Sequence, residues 1–309
     1  MDLSVVVVSW NVNDLLAACL SSVFSSLSAT ALDYEVLVVD NASSDGSPGM
    51  VRERFPQARL MPNPDNLGFA AANNQALAQA SGRYMVLLNP DTVVRGDALG
   101  ALVEFLDSRP SVGMAGPRLA YTDGSFQHSA FRFPSLAQVF LDFFHVHHRL
   151  YDSRLNGRYP RALYESGCPF AIDHPLGACM MVRRQALQQV GGLDEHFFMY
   201  CEEVDWAMRM KQAGWGVYCV PGAQVIHHAG QSTRQFRDRM FVALWRSRFR
   251  LFAKHYGPVF NWVVQRIVRA GLRHAADQAR SEAAAGMISD PELEGRLAAY
   301  ERVREMTHE

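Results

Sequence analysis

The chain has 309 residues, enough for one large α/β domain with appendages or for two domains. Hydrophobic residues make up 49% and charged residues 20%, an ordinary globular composition with no fixed-period repeat and no low-complexity linker. The net charge is −1, yet Arg234 to Arg273 contain ten Lys or Arg against one acid, Asp238, so that stretch carries +9 and the remainder −10, which hints at an anionic partner for it. The longest apolar run falls short of ~18 residues, which argues against a simple membrane-spanning helix. The N-terminus enters a strand without the basic and apolar regions of a signal peptide. Five scattered cysteines (Cys19, Cys168, Cys179, Cys201 and Cys219) form no Cys-x-x-Cys pair and read as free thiols of a reducing, cytoplasmic compartment.

In chain order, Leu3–Ser9 is a strand, β-branched and apolar on both faces, ending at Trp10-Asn11. Asn13 or Asp14 is expected to cap a helix through about Leu27, with Leu16, Cys19, Leu20, Val23 and Leu27 at helical spacing. Tyr34–Asp40 is a second strand, also ending in a carboxylate, followed by the turn and cap cluster Asn41-Ala-Ser-Ser-Asp45-Gly46. Ala58–Met61 is a short third strand. Asn66 to Asn74 opens a helix of small residues that Gly82 stops. Val86, Leu87 and Leu88 then form a buried strand that Pro90 terminates near Asn89, leaving Asp91 at its carboxyl end. This β-α-β-α-β-α-β order implies parallel strands covered on both faces. Parallel strands end on one side, so Asp40 and Asp91 face one crevice, where open α/β sheets bind ligands. A carboxylate held there can bind a divalent metal, and the metal a diphosphate. The structural alternative is that each aspartate caps the helix after it.

Gly96–Leu106 is a helix and Val112–Arg118 a fifth strand. Leu136, Val139, Phe140, Phe143 and Phe144 form an aromatic helical stripe, most simply core, with an apolar acceptor groove or membrane-facing lip as the other reading. His145, His147 and His148 follow; adjacent and alternate histidines on a helix do not converge, which argues against a metal site. His174–Val182 is a sixth strand whose Gly177-Ala178 permits close backbone approach. A helix starts near Glu202. Its acids Glu202, Glu203 and Asp205 exceed what a helix N-terminus needs and repel one another, so some are expected to do chemistry. Val217–Val220 and Val225–His228 read as two more strands. Residues 235–275 read as two basic amphipathic helices broken at Gly257-Pro258, suited to an anionic membrane surface or to packing with a solvated Arg face. Residues 281–309 read as a polar helical tail.

With these motifs in place, the chain resembles the inverting glycosyltransferases of family 2, of the GT-A fold, and within them bacterial rhamnosyltransferases. The resemblance rests on Val-Val-Val-Val-Ser-Trp-Asn11, Val-Val-Asp40-Asn41-Ala-Ser-Ser-Asp45-Gly46, Asn66-Leu-Gly-Phe-Ala-Ala-Ala-Asn73, Leu-Leu-Asn89-Pro-Asp91, Phe-Phe-Met-Tyr-Cys-Glu202-Glu203-Val-Asp205 and His227-His228, in the family's order over about residues 1–230. It implies a GT-A domain at 1–232, with a nucleotide-sugar half (1–118) and an acceptor half (119–232), and a helical region at 233–309. Asp40 would contact the base or ribose, beside Ser9 and Asn11, with Asn41 in the same turn. Asn66, Gly68 and Asn73 would shape the nucleotide-sugar pocket. Asp91 and His227 would hold Mg²⁺ or Mn²⁺ on the diphosphate, with His228 as the alternative. Asn89 stands where the family commonly has a first aspartate, so the site loses a charge, although rhamnosyltransferase-like members share this Asn-Pro-Asp form.

By family position Glu203 would be the base, with Glu202 as the alternative and Asp205 binding acceptor or orienting the loop. The expected donor is dTDP-rhamnose, with UDP-hexoses or UDP-galactofuranose as alternatives. The expected acceptor is a cell-surface or lipid-linked glycan, reached by an enzyme peripheral to the inner face of the cell membrane. A nucleotidyltransferase is disfavoured, because Ser9-Trp-Asn-Val-Asn lacks the glycine and lysine of a phosphate loop. A silent nucleotide-sugar sensor or scaffold on this fold would be expected to lack Glu202 and Glu203. No nucleic-acid module signature is present.

Overall fold

Leu3, Val5 and Val7 on one side of the first strand and Val6 on the other are all fully buried, as a strand inside a two-faced sheet requires. The computed structural model describes residues 1–144, 146–228 and 237–307. Its strands are β1 (Leu3–Ser9), β2 (Tyr34–Asp40), β3 (Arg59–Pro62), β4 (Tyr84–Leu88), β5 (Thr92–Arg95), β6 (Val112–Ala120), β7 (Phe126–Gln127), β8 (Ala130–Phe131), β9 (Phe170–Ala171), β10 (His174–Pro175), β11 (Cys179–Arg183) and β12 (Gly216–His227). Its α-helices are α1 (Asn13–Ser28), α2 (Ser47–Arg54), α3 (Phe69–Gln79), α4 (Ala98–Asp107), α5 (Leu136–Leu141), α6 (His148–Tyr151), α7 (Arg161–Glu165), α8 (Arg184–Val190), α9 (Glu202–Gln212), α10 (Arg237–His255), α11 (Pro258–Ala284) and α12 (Asp290–Met306).

The main sheet runs β3-β2-β1-β4-β11-β6-β12-β5, with β7 on β6 and β9 on β12. β3, β2, β1 and β4 are mutually parallel, as expected. β11 is antiparallel to both β4 and β6, so β6 and β12, parallel to each other, regain the direction of β4. All carboxyl ends of β1, β2, β4 and β12, and the amino end of β11, therefore share one edge. Alternation along each strand feeds two cores. Val36 and Val38 of β2 and Val86 and Leu88 of β4 join α1 and α4 on one face. Leu37, Val39, Met85 and Leu87 join α3 and α9 on the other.

Several expected elements are corrected. The single strand over His174–Val182 is two, because Gly177-Ala178 turns the chain: β10 pairs with β8, and β11 enters the main sheet. The two strands over Val217–His228 are one, β12, whose pairing with β6 slips between Val220 and Gln224, where Pro221 offers no N–H. β5 was not expected; it pairs antiparallel with β12. β3 starts one residue late. Neither Asn13 nor Asp14 caps α1 with its side chain: the cap position is Val12. Asp45, 32 residues away, takes the Asn13 N–H at 2.8 Å and also binds Ser47 at the start of α2.

The chain divides into two compact units. The sheet unit is Met1–Phe133, Tyr159–Phe198 and Glu202–Ser232. The helical unit is Pro134–Arg158, Met199–Cys201 and Thr233–Glu309. In the helical unit the break at Gly257-Pro258 is as expected, and Trp245, Leu251, Phe252, Val264 and Val268 form its core. The aromatic stripe mostly joins that core: Val139 and Phe143 are buried, and Phe143 stacks on Trp245 at 5.2 Å and lies against Gly271, which leaves no room for a Cβ. Phe140 stays exposed. His147 and His148 stack on each other at 4.4 Å, while His145 lies outside the described residues, as do Arg234 and Phe236 of the basic segment. The tail folds as α12, burying Ala299 and Val303. Among the described residues, no helix is long and apolar enough to cross a membrane.

Candidate active site

The shared edge collects the side chains that chemistry needs. Ser9 and Asp40 are register partners at the ends of β1 and β2, and both are buried. Asp40 Oδ2 accepts the Ser43 N–H at 3.0 Å, but its Oδ1 has no partner, and neither has Ser9 Oγ. A buried hydroxyl and a buried carboxylate oxygen left unpaired side by side are costly unless a ligand satisfies them.

The asparagines around this pair are built differently. Asn41 Nδ2 donates to Asn66 Oδ1 and to the Gly68 carbonyl, both at 3.1 Å, and its Oδ1 accepts from Asn63 at 3.1 Å. Asn11, at φ 52°, accepts the Ser44 N–H at 2.8 Å. Asn73 is buried in α3 and bonds the Phe69 carbonyl. At each of these asparagines part of the side-chain amide is already engaged by the protein itself. Gly68 is pinned at φ +83°; a Cβ there would come 2.6 Å from the Phe198 carbonyl oxygen, which itself accepts the Phe69 N–H at 2.9 Å. The loop between β3 and α3 is thereby tied to the stretch that leads into α9.

Asp91 and His227 meet across the sheet. β12 pairs with β5 so that His227 lies opposite Thr92, and the His228 N–H donates to the Asp91 carbonyl at 2.9 Å. His227 Nε2 sits 3.5 Å from Asp91 Oδ1, and both residues are buried. Burial is the main cause, opposed by Asp91 and assisted by His228, that holds the His227 pKa below its ordinary value. Its Nδ1 lies 3.1 Å from the Gln127 side-chain amide, a partner that sequence reasoning missed, since nothing local marks Gln127 as meeting a residue 100 positions on. A carboxylate and an imidazole side by side, with the neutral oxygen of Asn89 two residues before Asp91, fit Mn²⁺ or Mg²⁺ sharing the rest of its shell with phosphate and water. Among the described residues no group of three or more His, Cys, Asp or Glu gathers into a complete metal cage.

The three acids of α9 part company. Asp205 is fully buried and paired with Arg209 at 2.8 Å, and Arg209 also binds the carbonyls of Val190 and Gly192. Its side chain has no exposed edge, and through Arg209 it is linked to the turn at Val190 and Gly192. Glu202 is buried, with Oε2 unpaired; desolvation, then the charge of Glu203, pushes its pKa well up. Glu203 is half-buried, and desolvation pushes its pKa up to about 7. Its side chain lies against Gly177, at a distance of 3.8 Å from where a Cβ would stand. The next residue, Ala178, accepts the Asn89 N–H through its carbonyl at 2.9 Å. One short loop thus touches both the Glu203 side chain and the strand end that carries Asn89 and Asp91. The backbone just before α9 is strained, with Tyr200 and Cys201 both at positive φ (72° and 68°).

Residues 4–191 match the family model described as glycosyl transferase family 2. The chain belongs to glycosyl transferase family 2. This transferase is 34% identical over 224 residues to the N-acetylglucosaminyl-diphospho-decaprenol L-rhamnosyltransferase of Mycobacterium tuberculosis, an alignment covering 66% of this chain and 70% of the relative. It is 27% identical to the rhamnosyltransferase WbbL of Escherichia coli, over 60% of this chain and 70% of the relative. Its fold is similar to that of the mannosyltransferase PcManGT from Pyrobaculum calidifontis, solved with GDP-Man and Mn²⁺ (TM-score 0.58, 19% identity, 99% of this chain and 84% of that one). It is likewise similar to the structure of GalNAc-T7 with UDP, GalNAc and Mn²⁺ (TM-score 0.54, 16% identity, 74% of this chain and 44% of that one). These likenesses bear out the expected GT-A architecture followed by C-terminal helices.

Proposed function

We propose that this glycosyltransferase moves L-rhamnose from dTDP-rhamnose to a hydroxyl of a lipid-linked glycan, with inversion. The observation that supports the chemistry is the Gly177-Ala178 loop, which lies against the Glu203 side chain at one residue and bonds the Asn89 N–H at the next. The sugar and acceptor rest on the relatives' names: both relatives cited are rhamnosyltransferases, and one acts on a glycan diphosphate lipid.

In this reading the unpaired Asp40 Oδ1 accepts the imide N–H of a pyrimidine base, and Ser9 Oγ donates to the adjoining carbonyl. Asp91 and His227 would hold a divalent cation, which when bound would supply positive charge for the leaving nucleoside diphosphate. Glu203 takes the proton of the acceptor hydroxyl as that oxygen bonds to the anomeric carbon and the bond to the diphosphate breaks. Burial raises the proton affinity of Glu203, and burial together with the charge of Glu203 raises that of Glu202 beside it. The pyrimidine contacts fit uracil as well as thymine, so the sugar must be tested directly.

The test is a transfer and binding panel on purified protein: dTDP-rhamnose, UDP-glucose, UDP-galactofuranose, UDP-N-acetylglucosamine and GDP-mannose, each with Mn²⁺, Mg²⁺ or EDTA, and an N-acetylglucosaminyl-diphospho-polyprenol acceptor. Metal-dependent transfer from dTDP-rhamnose is expected. Preference for a UDP-sugar overturns the rhamnosyl assignment, and equal donor affinity with and without metal overturns the role of Asp91 and His227.

A further inference from the structure

We propose that the corner between α10 and α11 seats the protein on a bilayer surface that contains anionic lipid. The corner is built to be rigid. The Asn261 side-chain amide reaches three carbonyls, those of Phe252, Tyr256 and Gly257, at 3.2, 3.1 and 3.1 Å. Phe260 stacks on Tyr256 at 4.2 Å and meets Phe252 edge-on at 5.4 Å. Pro258 starts α11 directly after Gly257. The aromatic side chains that can face inward at this corner therefore do so.

Two apolar side chains are nevertheless held outward. Val259 is 75% exposed, the highest value for any large hydrophobic residue among those described, and Trp262, one turn on, is 57% exposed. The surround is cationic. Arg266, one further turn along, places its guanidinium 5.1 Å from the Trp262 ring centroid. Arg250 and Lys254 at the end of α10, and Arg266 and Arg273 on α11, are exposed. No Asp or Glu occurs between Asp238 and Asp277. An apolar tip carrying tryptophan, with Arg266 over its ring and further exposed cations along the two helices, matches the boundary between headgroups and acyl chains. There the indole and the valine enter the apolar layer and the cations remain among phosphates. A second copy of this chain fits poorly, since the two tips would bring like charges together. The inference uses nothing of the donor or acceptor reading, so the two stand or fall separately.

The experiment is co-sedimentation of the full chain with vesicles of phosphatidylcholine alone, or mixed with phosphatidylglycerol, at low and raised salt. Size-exclusion chromatography and circular dichroism are run on every variant. Binding to the anionic vesicles, weakened by salt, is expected. The exposed pair Val259→Ser with Trp262→Ser should lower partitioning about tenfold or more without altering the fold. Lys254→Glu with Arg266→Glu should lower it by roughly fivefold for each cation removed. Absence of wild-type binding, equal binding to neutral vesicles, or unchanged binding by the first pair overturns the proposal. A dimer that the first pair dissociates, with no vesicle binding, would assign the tip to a second copy instead.

Discussion

Glu202 and Glu203 are neighbours in sequence with different surroundings, and each yields its own expectation. Glu203 is reachable and its pKa is raised to about 7 by desolvation, close to the ideal for a base working near neutrality. Glu203→Gln should lower turnover by about 10²–10⁴-fold while donor affinity stays within a few-fold, as measured by transfer kinetics and by calorimetric titration of donor. In the wild type, activity should fall as pH drops through the neutral region, because the base is then protonated; the acidic limb belongs to the pair of glutamates. Glu202 makes a stability statement. Its folded pKa lies above its unfolded one, so its contribution to stability is whole below the unfolded value and is lost as pH rises through the folded value. Glu202→Gln should therefore raise Tm at about pH 8 and shift it little at about pH 4. A gain that is equal at both would show that the buried charge is not the cause. The three acids were visible in the sequence as one cluster, but which of them faces a crevice was not. That depends on Gly177, and on Arg209 claiming Asp205, contacts that no local pattern announces. The same holds for Asn41 and Asn66: their motif is legible, yet they bind each other.

Elements were legible where burial writes a pattern. β1, β2 and β4 are buried on both faces, so they appear as continuous apolar runs; the ends of β1 and β2 at Ser9 and Asp40 follow from polarity, and that of β4 at Leu88, just before Asn89, from Pro90. The direction of β11 was not legible, because Cys179–Val182 is equally apolar whether its neighbours run with it or against it. β5 was hidden because four residues after a proline read as a turn until β12 is beside them. The cap of α1 was missed because Asp45 supplies it from another loop. At this scale Gly68 is the most constrained position at the site. Gly68→Ala would force a side chain onto φ +83° and against a backbone oxygen of Phe198. It should cost about 1–3 kcal/mol, read by denaturant unfolding. Because the same contact ties the loop between β3 and α3 to the approach to α9, it should reduce kcat as well as stability. Full activity in a destabilised Gly68→Ala protein would show that this tie is architectural only.

The sheet as a whole has one functional edge. A nucleoside diphosphate that binds there only in the folded state must stabilise the sheet unit by mass action, by about 2.7 kcal/mol at a hundred times its dissociation constant. Thermal unfolding with dTDP or UDP should accordingly show a higher Tm in Mn²⁺ than in EDTA, and Asp91→Ala should erase that difference. An upward shift that ignores both metal and Asp91 would leave the carboxylate without its proposed task. The edge also has a history in time. Asp91 is made early and His227 late, and they meet only when β12 lies between β6 and β5. In the proposed roles the growing polypeptide carries Ser9, Asp40 and Asp91 long before the ribosome has extruded β12, so the histidine that would share a cation with Asp91 comes last. The meeting of Asp91 with His227 is therefore a contact that only a nearly complete sheet can make.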